Sequence, residues 1–288
     1  MSRYLAEDGL AYLWGRISNL NDWAKSESNG AAHNALYRGK DITENVLNGY
    51  FFESIEDGSF NEIFVGDYFI LNCKGISCTI SGSSVSVSTT AATDIKFYVS
   101  HLDKFWHIGD NQSSQSTSTV GLNKHHVCII PDSAMGTGPM HYTNATSSGY
   151  KTCSMNNSIL ATVKQNIVDA GIDSSHFIQR REYISNASSS GSASAGEFID
   201  SSISIMCEQE IFGSTITHNT NNFDTGIDFV QHALFRHDPS RIASVRQNWW
   251  MRDIASSTNY AIVSGYVSCG SLAANNTSTY VRPMFILG

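Results

Sequence analysis

Charge is what this chain has least of. Only 15% of its 288 residues are Asp, Glu, Lys or Arg, against about 25% in an ordinary globular domain. What charge there is leans acidic, with a formal net charge of −8. That balance excludes nucleic acid as a general partner, because phosphate binding needs a basic face. No apolar run approaches the ~20 residues that cross a bilayer, so no membrane insertion is expected. Glu7 and Asp8 sit early, with no apolar signal-like stretch after them, which predicts synthesis in a cytoplasm.

Motifs for catalysis and cofactors are missing too. No Gly-x-Ser-x-Gly follows an apolar strand, and no Gly-x-x-x-x-Gly-Lys-Ser/Thr phosphate loop exists, so neither catalytic residues nor a cofactor are expected. Cys73, Cys78, Cys128, Cys153, Cys207 and Cys269 are scattered, without a Cys-x-x-Cys pair or a nearby His at zinc spacing. They read as buried free thiols, with a Cys73–Cys78 bridge across a hairpin as the other option. His125, His126 and His141 are the remaining metal candidates. A strand turns adjacent side chains to opposite faces, so no metal is expected there. Glu208 and Glu210 would share a face only on a strand. With Asp253 they would imitate a glycosidase pair, a reading that ranks below ordinary solvated carboxylates.

Ser, Thr, Asn and Gly fill the space that charge leaves, a profile suited to a β-rich surface protein. Hydrophobic residues make up 41%, enough for a real core. Near the N-terminus, Leu10, Leu13, Ile17, Leu20 and Ala24 form an a/d seam within residues 4–25, with Asp8 as a cap. Two heptads are too short to stand alone, so the seam meets partner chains or the domain body. Residues 26–30 read as a linker. From Tyr50 to Pro131 the pattern reads as strands with turns, including Asp57-Gly58, and with an exposed Ser/Gln loop over Asp110–Thr119. Ile159, Leu160, Val163, Ile167 and Ala170 mark a helix over Asn156–Ala170, closed by Gly171. Phe177–Ile184 reads as a strand, residues 185–196 as a Ser/Ala/Gly loop, and the tract from Ile205 to Gly213 as a short helix leading to a turn. Thr215–Thr225 reads as polar loop, and Phe229–Arg236 as strand or short helix.

The closing forty residues organise the rest. Trp249 and Trp250 open them, and an apolar strand from Tyr280 to Leu287 ends them. Between lies a Ser/Asn/Thr/Gly/Tyr tract, as expected of loops displayed by a rigid scaffold.

Three stretches together resemble tail and minor structural proteins of phages of gut bacteria. They are Leu5-x-x-x-Gly9-Leu10-x-Tyr12-Leu13-Trp14-x-x-Ile17, the tract Gly58-Ser59-Phe60-Asn61-Glu62-Ile63-Phe64-Val65-Gly66-Asp67-Tyr68, and Trp249-Trp250-Met251-Arg252 followed by Val281-Arg282-Pro283. Met251 stands where the family pattern has Leu. The ending is also similar to the C-type-lectin-like fold of phage tropism determinants and adhesins. The resemblance implies an α+β protein with an N-terminal helix over 1–30, a β-rich domain over 31–120 and a C-type-lectin-like domain over 121–288. It implies a homotrimer, docked to other virion proteins through the N-terminal helix, in a virion tail or surface appendage. It also implies a display tract, Ser256–Tyr280, that meets a host-surface receptor or glycan through Asn259, Tyr260, Tyr266, Asn275, Asn276 and Tyr280. Tyr with Ser, Asn and Gly is the composition of adaptable binding surfaces. The alternatives are a head fibre, collar or decoration protein with no receptor, and an envelope-glycan hydrolase.

Overall fold

A long antiparallel hairpin sets the frame. Strand β1, Tyr68–Ser81, pairs with β2, Ser84–Leu102, from Tyr68↔Tyr98 out to Ser81↔Ser84. Near its base, Phe69, Leu71, Ile95, Phe97 and Val99 are buried. Toward the tip the residues turn to Ser, Thr and Ala, and β2 becomes exposed. The computed structural model describes residues 30–105, 124–147, 149–187, 193–214, 230–243 and 246–288.

Strands β3 (Val127–Pro131), β4 (Gly136–Thr137), β5 (Arg180–Ala187), β6 (Ala193–Ser201), β7 (Ile203–Ile205), β8 (Trp249–Ile254), β9 (Asn259–Val263), β10 (Cys269–Ala273) and β11 (Pro283–Leu287) follow. Six of the strands form one sheet in the order β4-β1-β2-β3-β11-β7. Every residue of β3 and β11 is buried, as apolar runs covered on both faces require. Phe285 of β11 packs against Phe97 and Phe177, with ring centroids 5.8 Å and 5.4 Å apart. Strands β8, β9 and β10 form a three-stranded meander, and β5 with β6 a separate hairpin. The chain is α+β.

The helix Leu160–Asp169 is preceded by a π-turn, Met155–Ile159, and buries Leu160, Val163 and Ile167. Its Asn166 side-chain amide donates to Lys74 O at 3.1 Å and Gly75 O at 3.3 Å. Those carbonyls lie at the β1 register shift between Lys74 and Ile76, so the helix satisfies groups that the bulge leaves without a ladder partner.

Several expectations are corrected. Tyr50–Glu56 is a helix, not the start of the strands. Its aromatics favour strand by propensity, but Phe51 and Ile55 lie four apart on one buried helical face. The short strands read over 68–99 merge into the two arms of the β1–β2 hairpin. Residues 185–187 and 193–196, read as loop, belong to β5 and β6. Of the two readings of Phe229–Arg236, strand or short helix, the helix is found, over Ala233–His237 and ending before Pro239. Cys73 and Cys78 lie five apart on one strand, too far to bridge. All six cysteines are free and five are buried, with Cys269 half-buried. Strand β2 pairs with β3, so one sheet draws on residues from both sides of position 120. The heptad seam, Trp14, Trp23 and the loops expected over Asp110–Thr119 and Thr215–Thr225 lie outside the described residues. Among the described residues no helix is long and apolar enough to cross a membrane.

Candidate functional site

The tryptophan pair anchors the segment that leads out of the site. Trp249 and Trp250 are almost wholly buried, and Trp250 Nε1 donates to Gly138 O at 2.7 Å. The chain returns beside them at Tyr280, whose N–H donates to Asn248 O at 2.9 Å, while Trp250 N–H donates to Tyr280 O at 3.1 Å. Residues 246–250 and 278–280 are thereby held side by side.

The β9–β10 turn closes the third side. Ser264 and Ser268 hydroxyls lie 2.7 Å apart, and Gly265 N–H donates to Asn248 Oδ1 at 3.3 Å. Gly265 approaches the neighbouring segment so closely that a Cβ there would sit 2.8 Å from Arg246 O. A glycine is needed for that contact. Tyr266, at the tip, is 95% exposed. On the opposite side Asn276 Oδ1 accepts from Ser278 N at 2.9 Å, Ser278 Oγ at 2.8 Å and Thr279 Oγ1 at 3.2 Å. That Asx turn spends the amide oxygen on structure. The amide nitrogen makes no hydrogen bond among the described residues.

Between these walls lies a surface pocket of about 860 Å³. Tyr266, Asn276 and Tyr280 line it, joined by Arg246, Gln247 and Asn248. Five described non-glycine residues have left-handed φ, and two of them, Arg246 at 49° and Val267 at 63°, line this pocket. Backbone strain of this kind costs about 1–3 kcal/mol per residue and gathers at binding sites.

Of the six expected contact residues, Tyr266, Asn276 and Tyr280 come together here. Asn259 lies at the other end of β9, where its amide donates to Ser271 Oγ at 3.3 Å. Asn275 is exposed but outside the lining. Tyr260 is corrected: it is 0% exposed, because β9 is covered on both faces and Tyr260–Val263 are all buried. Burial pushes its hydroxyl well above the usual tyrosine range. Arg246, Gln247 and Asn248 were missed. They precede the aromatic anchor and carry no pattern of their own.

A second polar centre lies inside the fold. Glu210 receives Lys104 Nζ at 2.7 Å and Arg252 Nη1 at 2.9 Å, all three side chains being buried. Burial would raise the Glu210 carboxyl, but Arg252 and Lys104 outweigh it and hold it well below the usual range. Asp253 accepts from Glu208 N–H at 2.8 Å, and burial pushes its carboxyl up to about 7. Glu208, Glu210 and Asp253 are buried and outside the pocket lining, so they do not form a solvent-facing carboxylate pair. Arg252 is held in a buried ion pair with Glu210.

The histidines do not converge. His125 Nδ1 lies 2.8 Å from Asp103 Oδ2. His126 Nε2 accepts from Phe105 N–H at 3.0 Å, and His141 Nδ1 lies 3.3 Å from Ser154 Oγ. Among the described residues no group of three or more His, Cys, Asp or Glu side chains is placed to hold a metal ion.

No family model, curated protein or solved structure matches this chain. The pocket's own chemistry therefore carries the functional reading.

Proposed function

We propose that the chain is a phage virion structural protein of the tail or fibre type, and that it holds a host-surface receptor, a glycan first among the choices, in the pocket beside Tyr266. The observation that carries this reading is the convergence of Tyr266, Asn276 and Tyr280 on one pocket of about 860 Å³, within the size range of small-ligand sites. Tyrosine faces can stack on sugar rings, and amides can donate to their hydroxyls. The buried tryptophans and the apolar strand β11 give these groups a stiff base.

A C-type-lectin-like arrangement of residues 121–288, sharing its main sheet with β1 and β2, is part of the proposal. In its favour, the final strand returns to a sheet while the β9–β10 turn before it is at the surface. The helix of residues 1–30 gathers three chains or docks them to other virion proteins. Trimerisation would multiply weak single-site contacts through avidity where geometry lets sites engage together.

The test is adsorption of purified full-length protein to host cells, with wild type compared against Tyr266→Ala and Asn276→Ala. Reduced adsorption with unchanged folding supports the receptor role. Unchanged adsorption leaves a collar, head-fibre or decoration role in its place.

A further inference from the structure

Among the described residues, the pocket lining contains one formal charge, Arg246, and no carboxylate. That is notable in a chain with a net charge of −8. Nearby arginines are engaged. Arg241 binds Asp238 and Asp132 at 3.0 Å and 3.4 Å, and Arg252 binds Glu210 at 2.9 Å. Arg246 differs: its backbone N–H donates to Ala243 O at 2.9 Å, but no described ion pair or side-chain hydrogen bond engages its exposed guanidinium.

A second cation, Arg282, packs against Trp249, the neighbour of the lining residue Asn248. Arg282 is 0% exposed. It donates to Pro131 O and Arg241 O, each at 2.9 Å, and its guanidinium carbon lies 5.1 Å from the Trp249 ring centroid. Among the described residues its Nη2 has no hydrogen-bond partner. The partners it does bind are carbonyls, so its charge is not cancelled by a bonded carboxylate. Trp249 follows the lining residue Asn248, and Arg241 stands two residues before the lining residue Ala243. Arg246 is thus the charge on the pocket wall, and it favours a negative ligand.

We infer that the pocket takes a carboxylate-bearing saccharide, a uronic or sialic acid unit, with Arg246 gripping the carboxylate and Tyr266 and Tyr280 facing the ring. This rests on the receptor reading above. A single planar guanidinium suits one carboxylate, which it can bind through two parallel hydrogen bonds. A repeating phosphodiester polymer would call for a row of cations, and the lining has no lysine and no second arginine.

The experiment is calorimetric titration of the full-length protein with three ligands: a glucuronic-acid-terminated disaccharide, its neutral glucose-terminated counterpart, and a sugar phosphate. Wild type, Arg246→Gln and Arg246→Lys are compared, with unfolding midpoints recorded to confirm folding. The acidic disaccharide should bind at least about tenfold tighter than the neutral one, the size of one charged hydrogen-bonded contact. Arg246→Gln should abolish that preference, Arg246→Lys should keep part of it, and added salt should weaken only acidic binding. Equal binding of acidic and neutral sugars, unchanged by Arg246→Gln, overturns the carboxylate assignment and leaves the receptor pocket standing. Preference for the phosphate, or no binding of any of the three, also overturns it. Unchanged cell adsorption by Tyr266→Ala would instead remove the receptor reading on which it rests.

Discussion

The guanidinium of Arg282 lies over the Trp249 ring, its carbon 5.1 Å from the centroid. This contact ties the closing segment to the aromatic anchor, and two hydrogen bonds extend the tie to Pro131 and Arg241. The cation also stacks near Phe235 at 5.6 Å. Burial lowers its pKa to about 10, still far above neutrality, so the charge persists.

Replacing Arg282 with Ala should destabilise the fold by about 3 kcal/mol, since two buried carbonyls lose their donor and a large side chain leaves a cavity. Arg282→Met keeps volume and should cost less. Chemical denaturation measures both. Equal, negligible losses would show that Arg282 does not tie these segments.

Gly265→Ala should reduce ligand adsorption while leaving the unfolding midpoint nearly unchanged. Its new Cβ would press on Arg246 O at 2.8 Å, pushing the β9–β10 turn off the Arg246–Asn248 wall. The turn is at the surface, so the core should tolerate the shift. Adsorption equal to wild type would mean that the spacing of these two walls does not matter.

The buried charges give opposite pH dependences. Glu210 is held below the usual carboxyl range, so its contribution is present above its unfolded pKa and is lost as pH falls toward the folded value. Asp253 is raised from an ordinary 3.8 to about 7. Its contribution is full below 3.8 and is lost as pH rises through about 7. Asp253→Asn should therefore flatten the decline in stability between about pH 4 and 7 while leaving the acid limb in place. Thermal unfolding across that window checks this, and an unaltered profile would contradict it.

Much of this fold was readable where spacing is strong and local. The helix Leu160–Asp169, the strand ending at Pro131 and the turn helix before Gly213 all carried periodic or capping signals. Gly213 adopts the left-handed conformation, with φ of 77°, that such a helix end favours. The Tyr50–Glu56 helix was hidden because three adjacent aromatic residues look like a strand to propensity. The ionic centre was illegible for a different reason: Lys104 and Glu210 stand 106 positions apart, and no local pattern announces so distant a partner. Half of the expected contact set reached the pocket. Tyr260 fell out because β9 is buried on both faces from Tyr260 to Val263, and composition does not register that. Arg246 is the one cation between Ile242 and the tryptophan pair, and a lone charge carries no periodicity that would single it out.

Trimer formation is open to direct measurement. Light scattering should return three times the chain mass for the full chain, falling to the single-chain mass when Leu10, Leu13 and Ile17 are replaced by Ser. A monomeric wild type would remove the avidity component.

The most direct test is a glycan array probed with the full-length protein and with a Tyr266→Ala/Asn276→Ala double variant of matched stability. Binding to a discrete set of glycans, lost in the variant, is the expected result. Binding that survives both substitutions, or no binding by the wild type, would contradict a receptor pocket beside Tyr266.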